Sequence, residues 1–138
     1  MTTLFKKLNY KGEKDICIIN PPLEFAGELQ EMNEVTNILS KTDICKEITF
    51  ILAFVQTKSE VDDLIPIINK KLNGDGIVWF AYPKKTSKKY KVEIHRDYGW
   101  ELVRKSGFES VRAVAIDEDW SALRFRRVEY IKTLLRHP

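Results

Sequence analysis

The sequence predicts a single α/β domain over residues 1–138: a three-layer sandwich on a mostly parallel sheet, with a C-terminal antiparallel hairpin. Three observations predict it. Three short apolar runs lack period-two alternation, a helical stretch separates the last two, and two alternating segments follow near the end. The runs are rich in β-branched and aromatic residues, as strands are when helices cover both faces of their sheet. A chain of 138 residues, 43% hydrophobic and 31% charged, is the size of one domain. It buries roughly two thirds of its unfolded surface and needs no disulfide or metal to hold it.

The first run, Ile16–Ile19, stops at Asn20-Pro21-Pro22, because proline cannot continue a strand ladder. Residues 24–47 are the least patterned; Phe25–Met32 reads as a helix and Val35–Leu39 as a strand. After the second run, Ile48–Val55, the residues Val61, Leu64, Ile65, Ile68 and Leu72 share one helix face. Ser59 is the expected cap, with Asp62 three residues on, and Asn73-Gly74 the expected left-handed stop. Pro66 lacks an N–H, which predicts a kink or a start near Leu64. The third run, Ile77–Tyr82, completes a βαβ unit, parallel and right-handed, and ends at Pro83. A second helix is expected over Val92–Lys105, with Ile94, Tyr98 and Leu102 as its apolar edge. Val111–Asp117 and Leu123–Val128, joined by Glu118–Ala122, read as a hairpin with Leu123, Phe125 and Arg127 on one face. Tyr130–Leu135 reads as a short helix.

Composition excludes several classes. No apolar run approaches the roughly 18 residues that span a bilayer. The segment Met1–Lys11 lacks the apolar centre of a signal peptide, so a cytoplasmic location is expected, with no membrane association. Cys17 sits in an apolar run, Cys45 has no Cys or His close in sequence, and His95 and His137 add no paired spacing. No metal site and no cofactor is therefore expected. The net charge of +3 and pI near 8.8 are too mild for a dedicated nucleic-acid binder. The charge is segregated, however. Residues 84–91 hold five lysines and no acid, and Arg124, Arg126, Arg127, Lys132 and Arg136 follow with only Glu129 between them.

Ligands of open α/β sheets bind beyond the carboxyl ends of the parallel strands, which nominates Asn20-Pro21-Pro22-Leu23 and Tyr82-Pro83-Lys84. Lys85, Lys88, Lys89 and Lys91 extend the second segment into a candidate patch for anions or nucleic acid. Trp79, Tyr82 and Tyr90 nearby could add stacking. The plainer reading is a solvated loop that keeps a sheet edge soluble. Asp117-Glu118-Asp119 could hold Mg²⁺ with a substrate phosphate, but acids that solvate a hairpin turn are the favoured account. Trp120 must pack or present a stacking face, and Arg124 could pair with Asp119 or Asp117. No Gly-x-Ser-x-Gly occurs, neither Ser121 nor Ser87 has a histidine close in sequence, and His95 reads as solvated. The six glycines form no dinucleotide fingerprint and no P-loop, so no catalytic residue is nominated.

Three resemblances bear on these residues. Asn20-Pro21-Pro22 resembles the Asn-Pro-Pro-aromatic motif of amino-group methyltransferases, but Leu23 departs from it, it follows the wrong strand, and no glycine-rich loop precedes it. The C-terminal order of strand, helix, strand, helix and hairpin resembles that half of Rossmann-like methyltransferases. Finally, Gly76–Lys84 and Asp119–Arg124 are similar to two motifs of a family of small bacterial proteins of unknown function. Its actinobacterial members carry a Trp-containing strand ending in Pro-Lys and a hairpin with Asp-Trp-Ser and Arg. The matching residues are Trp79, Pro83, Lys84, Asp119, Trp120, Ser121 and Arg124, and the chain looks like a bacteroidetes-type relative. The match covers the C-terminal half and implies no activity. It does imply that Pro83-Lys84 and the hairpin meet in a mixed-charge site floored by Trp120.

The candidate ligand residues are thus Asn20, Tyr82, Lys84, Asp119, Trp120, Ser121 and Arg124. With no catalytic constellation, a non-catalytic binding or regulatory module working on a protein partner or as a homo-oligomer is the favoured expectation. The alternatives are a site for a phosphate-bearing small molecule, with or without catalysis, near Lys84 and Trp120, and nucleic-acid binding through loop 84–91.

Overall fold

The computed structural model describes residues 1–131. Its strands are β1 (Asp15–Ile19), β2 (Asn37–Leu39), β3 (Ile48–Phe54), β4 (Leu72–Pro83), β5 (Phe108–Ala115) and β6 (Trp120–Arg127). They form one sheet in the order β2-β1-β3-β4-β6-β5. The first four are parallel, while β6 runs antiparallel to both β4 and β5. The chain leaves β1 towards one edge and β3 towards the other, so the strand order reverses between these two neighbours. Such a reversal opens a crevice at the carboxyl ends.

The helices are α1 (Thr3–Lys7), α2 (Ala26–Met32), α3 (Lys58–Lys71) and α4 (Glu101–Lys105). They account for the unalternating runs, because both faces of the central strands are buried. On one face Ile51, Val78 and Phe80 pack with Val61, Ile65 and Ile68 of α3 and with Trp100 and Val103. On the other Phe50, Phe54 and Trp79 pack with Phe5, Leu8, Phe25 and Met32. Each such side chain contributes roughly 1.5–3 kcal/mol by leaving water. Trp79 also fixes the N-terminal segment, its indole Nε1 donating to the Leu8 carbonyl at 2.8 Å. α1 itself, capped by the Thr2 hydroxyl, is too short to show as a periodic pattern.

Several expected boundaries differ. The cap of α3 is Thr57, in a reciprocal capping box with Glu60, and not Ser59. The helix runs through Pro66, since the burial of Val61, Ile65 and Ile68 outweighs one lost backbone bond. It passes directly into β4 at Leu72, and Gly74, at φ +55°, lies within that strand, where pairing with β3 shifts register. The helix expected over Val92–Lys105 is reduced to α4. Gly99 sits at φ +109°, which no helix contains, and His95 and Tyr98 pair across the turn before it. The hairpin holds. Leu123 and Phe125 are buried on the α3 face, and Arg127 donates to the Leu72 and Gly74 carbonyls while lying over the Phe108 ring. Val128–Tyr130 forms a 3₁₀ turn, and the remainder of the helix expected at Tyr130–Leu135 falls outside the described residues. Among the described residues no helix is long and apolar enough to cross a membrane.

Candidate functional site

At the carboxyl end of β1 the chain turns through Asn20, which takes φ +52°, a value Asn tolerates better than most residues. Pro21 and Pro22 follow, then a 3₁₀ turn at Leu23–Phe25. Phe25 is buried edge-on against Phe54 at the end of β3, with ring centroids 4.9 Å apart. That packing places Glu24 at the mouth of the crevice. Its carboxylate accepts from the Tyr90 hydroxyl at 2.7 Å, from Lys89 Nζ at 3.2 Å and from Trp120 Nε1 at 3.3 Å. The Tyr90 hydrogen bond in particular holds the Glu24 carboxyl down to about 2.

The hairpin turn and the lysine loop lock together beside this contact. Asp117 Oδ1 accepts from the backbone N–H groups of Asp119 and Trp120, both at 2.8 Å. Asp119 accepts from the Ser87 hydroxyl at 2.8 Å, and its carbonyl accepts from the Lys84 N–H at 2.8 Å. The Ser87 oxygen accepts in turn from the N–H groups of Lys89 and Tyr90. The acids of this turn therefore order backbone, as turn carboxylates usually do. No metal-binding cluster of His, Cys, Asp and Glu occurs among the described residues.

Lys84 and Trp120 do lie at the same end of the sheet, where Pro83 and Trp120 are paired between β4 and β6. Trp120, however, is 2% exposed, packed edge-on to Phe54 at 5.1 Å and tilted on Tyr90 at 4.8 Å. It offers no stacking face to a ligand and works as the keystone of the closure. The expected pairing of Arg124 with Asp117 or Asp119 does not form. Arg124 sits four residues further along β6, about 13 Å away, and lines a different cavity at the opposite end of the sheet.

What remains open is a cavity of about 290 Å³ beside the end of β4. Tyr82, Lys84 and Ser121 line it, as the sequence nominated, together with Lys85, Thr86, His95 and Arg96. Three bases, an imidazole and three hydroxyls converge there. His95 Nδ1 accepts from the Asp97 N–H at 3.2 Å, which assigns the ring proton to Nε2. The His95 carbonyl accepts from Trp100 Nε1 at 2.8 Å, anchoring this turn to the core. His95 and Arg96 were missed from the sequence because residues 92–105 read as a helix, and Gly99 was the available warning; Thr86 was passed over as a spacer between the lysines of loop 84–91. The other lysines disperse. Lys89 reaches Glu24, Lys91 lines a smaller cavity of about 160 Å³ at Gln56 and Thr57 beyond β3, and Lys88 is exposed. Asn20 shares this end of the sheet but on β1, two strands from β4.

Two buried groups also proved closer than their sequence positions suggest. Cys17 and Cys45 are free thiols with sulfurs 3.4 Å apart, the latter brought to β1 by the chain between β2 and β3. Burial pushes the Cys17 thiol well above its ordinary value.

No family model matches the sequence, and no curated protein matches it. Solved structures share its fold. The Methanococcus jannaschii fibrillarin pre-rRNA processing protein superposes with a TM-score of 0.54 at 15% identity, over 85% of this chain and 67% of that one. A putative type 11 methyltransferase from Sulfolobus solfataricus gives 0.51 at 13% identity, over 91% and 89%. The mitomycin 7-O-methyltransferase gives 0.58 at 13% identity, over 86% of this chain and 50% of that one. The fold is thus Rossmann-like, and these proteins share it. In Rossmann-like folds a nucleotide-type cofactor is cradled by backbone N–H groups of a glycine-rich first βα turn. Here that turn holds two prolines without N–H groups, no glycine before Gly27, and an anchored Glu24 carboxylate. These residues do not fit such a cradle.

Proposed function

We propose that this protein binds a small phosphate-bearing molecule in the cavity beside the end of β4. One observation carries the reading: Lys84, Lys85, Arg96 and His95 surround a concave space with the hydroxyls of Tyr82, Thr86 and Ser121, and among the described residues no carboxylate lines it. Cations with hydroxyl donors around a small cavity suit an oxyanion. The position agrees with the general placement of ligands in open α/β sheets. Arg96 supplies the planar fork, the two lysines supply point charges, and the Nε2–H of His95 is a further donor.

The methyltransferase-type fold favours a small-molecule site over the non-catalytic partner module that the sequence alone suggests. Nucleic-acid binding is less well supported. The lysines of loop 84–91 face different places, and Arg124, Arg126 and Arg127 lie towards the far end of β6. Membership in the small bacterial family marked by Trp79, Pro83, Lys84, Asp119, Trp120, Ser121 and Arg124 is retained as part of the proposal. On this reading Lys84 and Ser121 face the ligand, while Asp119 holds the loop beside them through the Ser87 hydroxyl and the Lys84 N–H.

The test is a thermal-shift and calorimetric screen with nucleotides, sugar phosphates, S-adenosylmethionine and a short mixed RNA at constant ionic strength. Saturable stabilisation by one phosphate-bearing compound, weakened at least ten-fold in Arg96→Ala, supports the reading. Binding of S-adenosylmethionine alone would replace it with methyl transfer, the second reading, which the fold favours.

A further inference from the structure

The chain holds two cysteines, and the fold brings them into contact. Cys17 is in the middle of β1, paired in register with Leu39 of β2 on one side and Ile51 of β3 on the other. Its position is therefore set by two backbone ladders. Cys45 lies 28 residues further on, in the irregular connection between β2 and β3. A 3₁₀ turn at Thr42–Ile44 delivers it, and its N–H donates to the Thr42 carbonyl at 3.2 Å. Its thiol reaches the Cys17 sulfur at 3.4 Å and the Lys41 carbonyl at the same distance. Lys71, at the end of α3, braces the turn by donating to the Thr42 carbonyl at 2.6 Å.

A strand-fixed thiol facing a loop-borne one suits a bridge. A disulfide needs its sulfurs about 2 Å apart. Only the connection has to move to close the remaining gap, because Cys45 lies outside both strands that it joins. Either residue alone would be an ordinary small apolar filler. Together they tie β1 to a segment whose one strand, β2, is three residues long and at the edge of the sheet.

We propose that Cys17 and Cys45 form a reversible disulfide, made by reaction with a peroxide, that staples the β2–β3 connection to β1. Cys45 reacts first: its sulfur attacks the peroxide, the O–O bond breaks, and a sulfenic acid and water result. Cys17 then attacks the sulfenic sulfur; the S–S bond forms, hydroxide leaves, and the Cys17 proton joins it as a second water. The thiol pair gives up two electrons and two protons, and the peroxide is reduced to two waters. A small dithiol reverses the reaction by exchange and is itself oxidised to a disulfide. The order follows from the surroundings. Burial, then the contact with Cys45, raises the Cys17 thiol above its ordinary value, and the nearby Lys71 charge opposes that rise. Cys17 is thus the poorer initial nucleophile and acts as the resolving thiol. Both residues are buried, so bulky thiol reagents are kept out and the oxidant must be as small as peroxide. The bridge closes a loop over residues 17–45, which contains the Asn20–Phe25 turn that carries Glu24, then α2 and β2. Oxidation therefore restrains the segment that closes the crevice, and reduction releases it.

The experiment treats the reduced full chain in native buffer with equimolar hydrogen peroxide, then traps free thiols with a maleimide in denaturant for mass spectrometry. The expected product is a monomer two hydrogens lighter, with no maleimide attached, and dithiothreitol restores both thiols. Its melting temperature should rise by roughly 5–15 °C, as a loop closed over this length in a chain of this size implies. Hydrogen exchange should slow in α2 and β2. Cys17→Ala should strand Cys45 as a sulfenic acid that a dimedone probe labels, whereas Cys45→Ala should take up no probe at the same dose. The wild-type masses decide the question even where an alanine variant fails to fold. Thiols that stay free, oxidation that stops at sulfenic acid with both cysteines present, or intermolecular dimers would overturn the proposal. A bridge that leaves exchange in α2 and β2 unaltered would overturn it as well.

Discussion

The Glu24 carboxylate and the Tyr90 hydroxyl, 66 residues apart in the chain, meet at 2.7 Å and close the crevice between β1 and β3. Lys89 and the indole of Trp120 complete the contact on the same carboxylate. In a fold whose ligands commonly enter at this point, the entrance is held shut by the protein's own side chains, and the open cavity lies one strand further on, beside β4.

The closure should be pH-dependent in a defined direction. Glu24 falls from the ordinary carboxylate value of 4.5 to about 2 in the folded protein, through Tyr90 first and then Lys89 and Trp120. A depressed folded value means stability that is present above pH 4.5 and lost as pH falls towards 2. Glu24→Gln should therefore destabilise by about 1.5–3 kcal/mol at pH 6, the range for hydrogen bonds to a charged group. The difference from wild type should shrink towards zero by about pH 2. Urea denaturation at pH 6, 4 and 3 measures it, and a gap that does not narrow on acidification would rule out the carboxylate as its source.

Gly99 tests how the cavity beside the end of β4 is shaped. At φ +109°, a Cβ there would stand 2.5 Å from Ile94 Cγ2. Gly99→Ala should cost at least about 1 kcal/mol, since the substitution is strained whatever the surrounding space. Because the same turn carries His95 and Arg96, phosphate-ester affinity should fall more than stability alone explains. Chemical denaturation and calorimetry on one preparation separate the two effects.

The cysteine pair makes a chemical prediction. Both thiols are buried, with sulfurs 3.4 Å apart, and burial raises Cys17, which disfavours its thiolate. Since only the thiolate attacks a disulfide reagent, neither cysteine should react with an aromatic disulfide in the folded protein at pH 8. Both should react at once in 6 M guanidinium. Rapid stoichiometric labelling of the native protein would show that this part of the fold opens readily.

The parts of this architecture that local pattern controls were legible in the sequence. The runs at Ile16–Ile19, Ile48–Val55 and Ile77–Tyr82 gave three strands because strands covered on both faces must be apolar throughout. Alternation at Leu123 and Phe125 gave the hairpin. What escaped was set by tertiary contacts. Residues 92–100 carry a helix-like spacing at Ile94, Tyr98 and Leu102, but Gly99 and the pairing of His95 with Tyr98 turn the chain instead. That error hid His95 and Arg96. The site was legible in the same proportion. Tyr82, Lys84 and Ser121 came together because strand-end position can be read from sequence. The burial of Trp120 under Glu24, and the placement of Arg124 midway along β6 at a different cavity, depend on how far along a strand a residue lies and what packs around it there.

Isothermal titration with phosphate-bearing metabolites tests anion binding in the cavity at Lys84, Lys85, His95 and Arg96. One compound is expected to bind saturably, to lose at least ten-fold in affinity in Arg96→Ala and in Lys85→Ala, and to keep its affinity in Arg112→Gln. Binding that is indifferent to both Arg96→Ala and Lys85→Ala would contradict it.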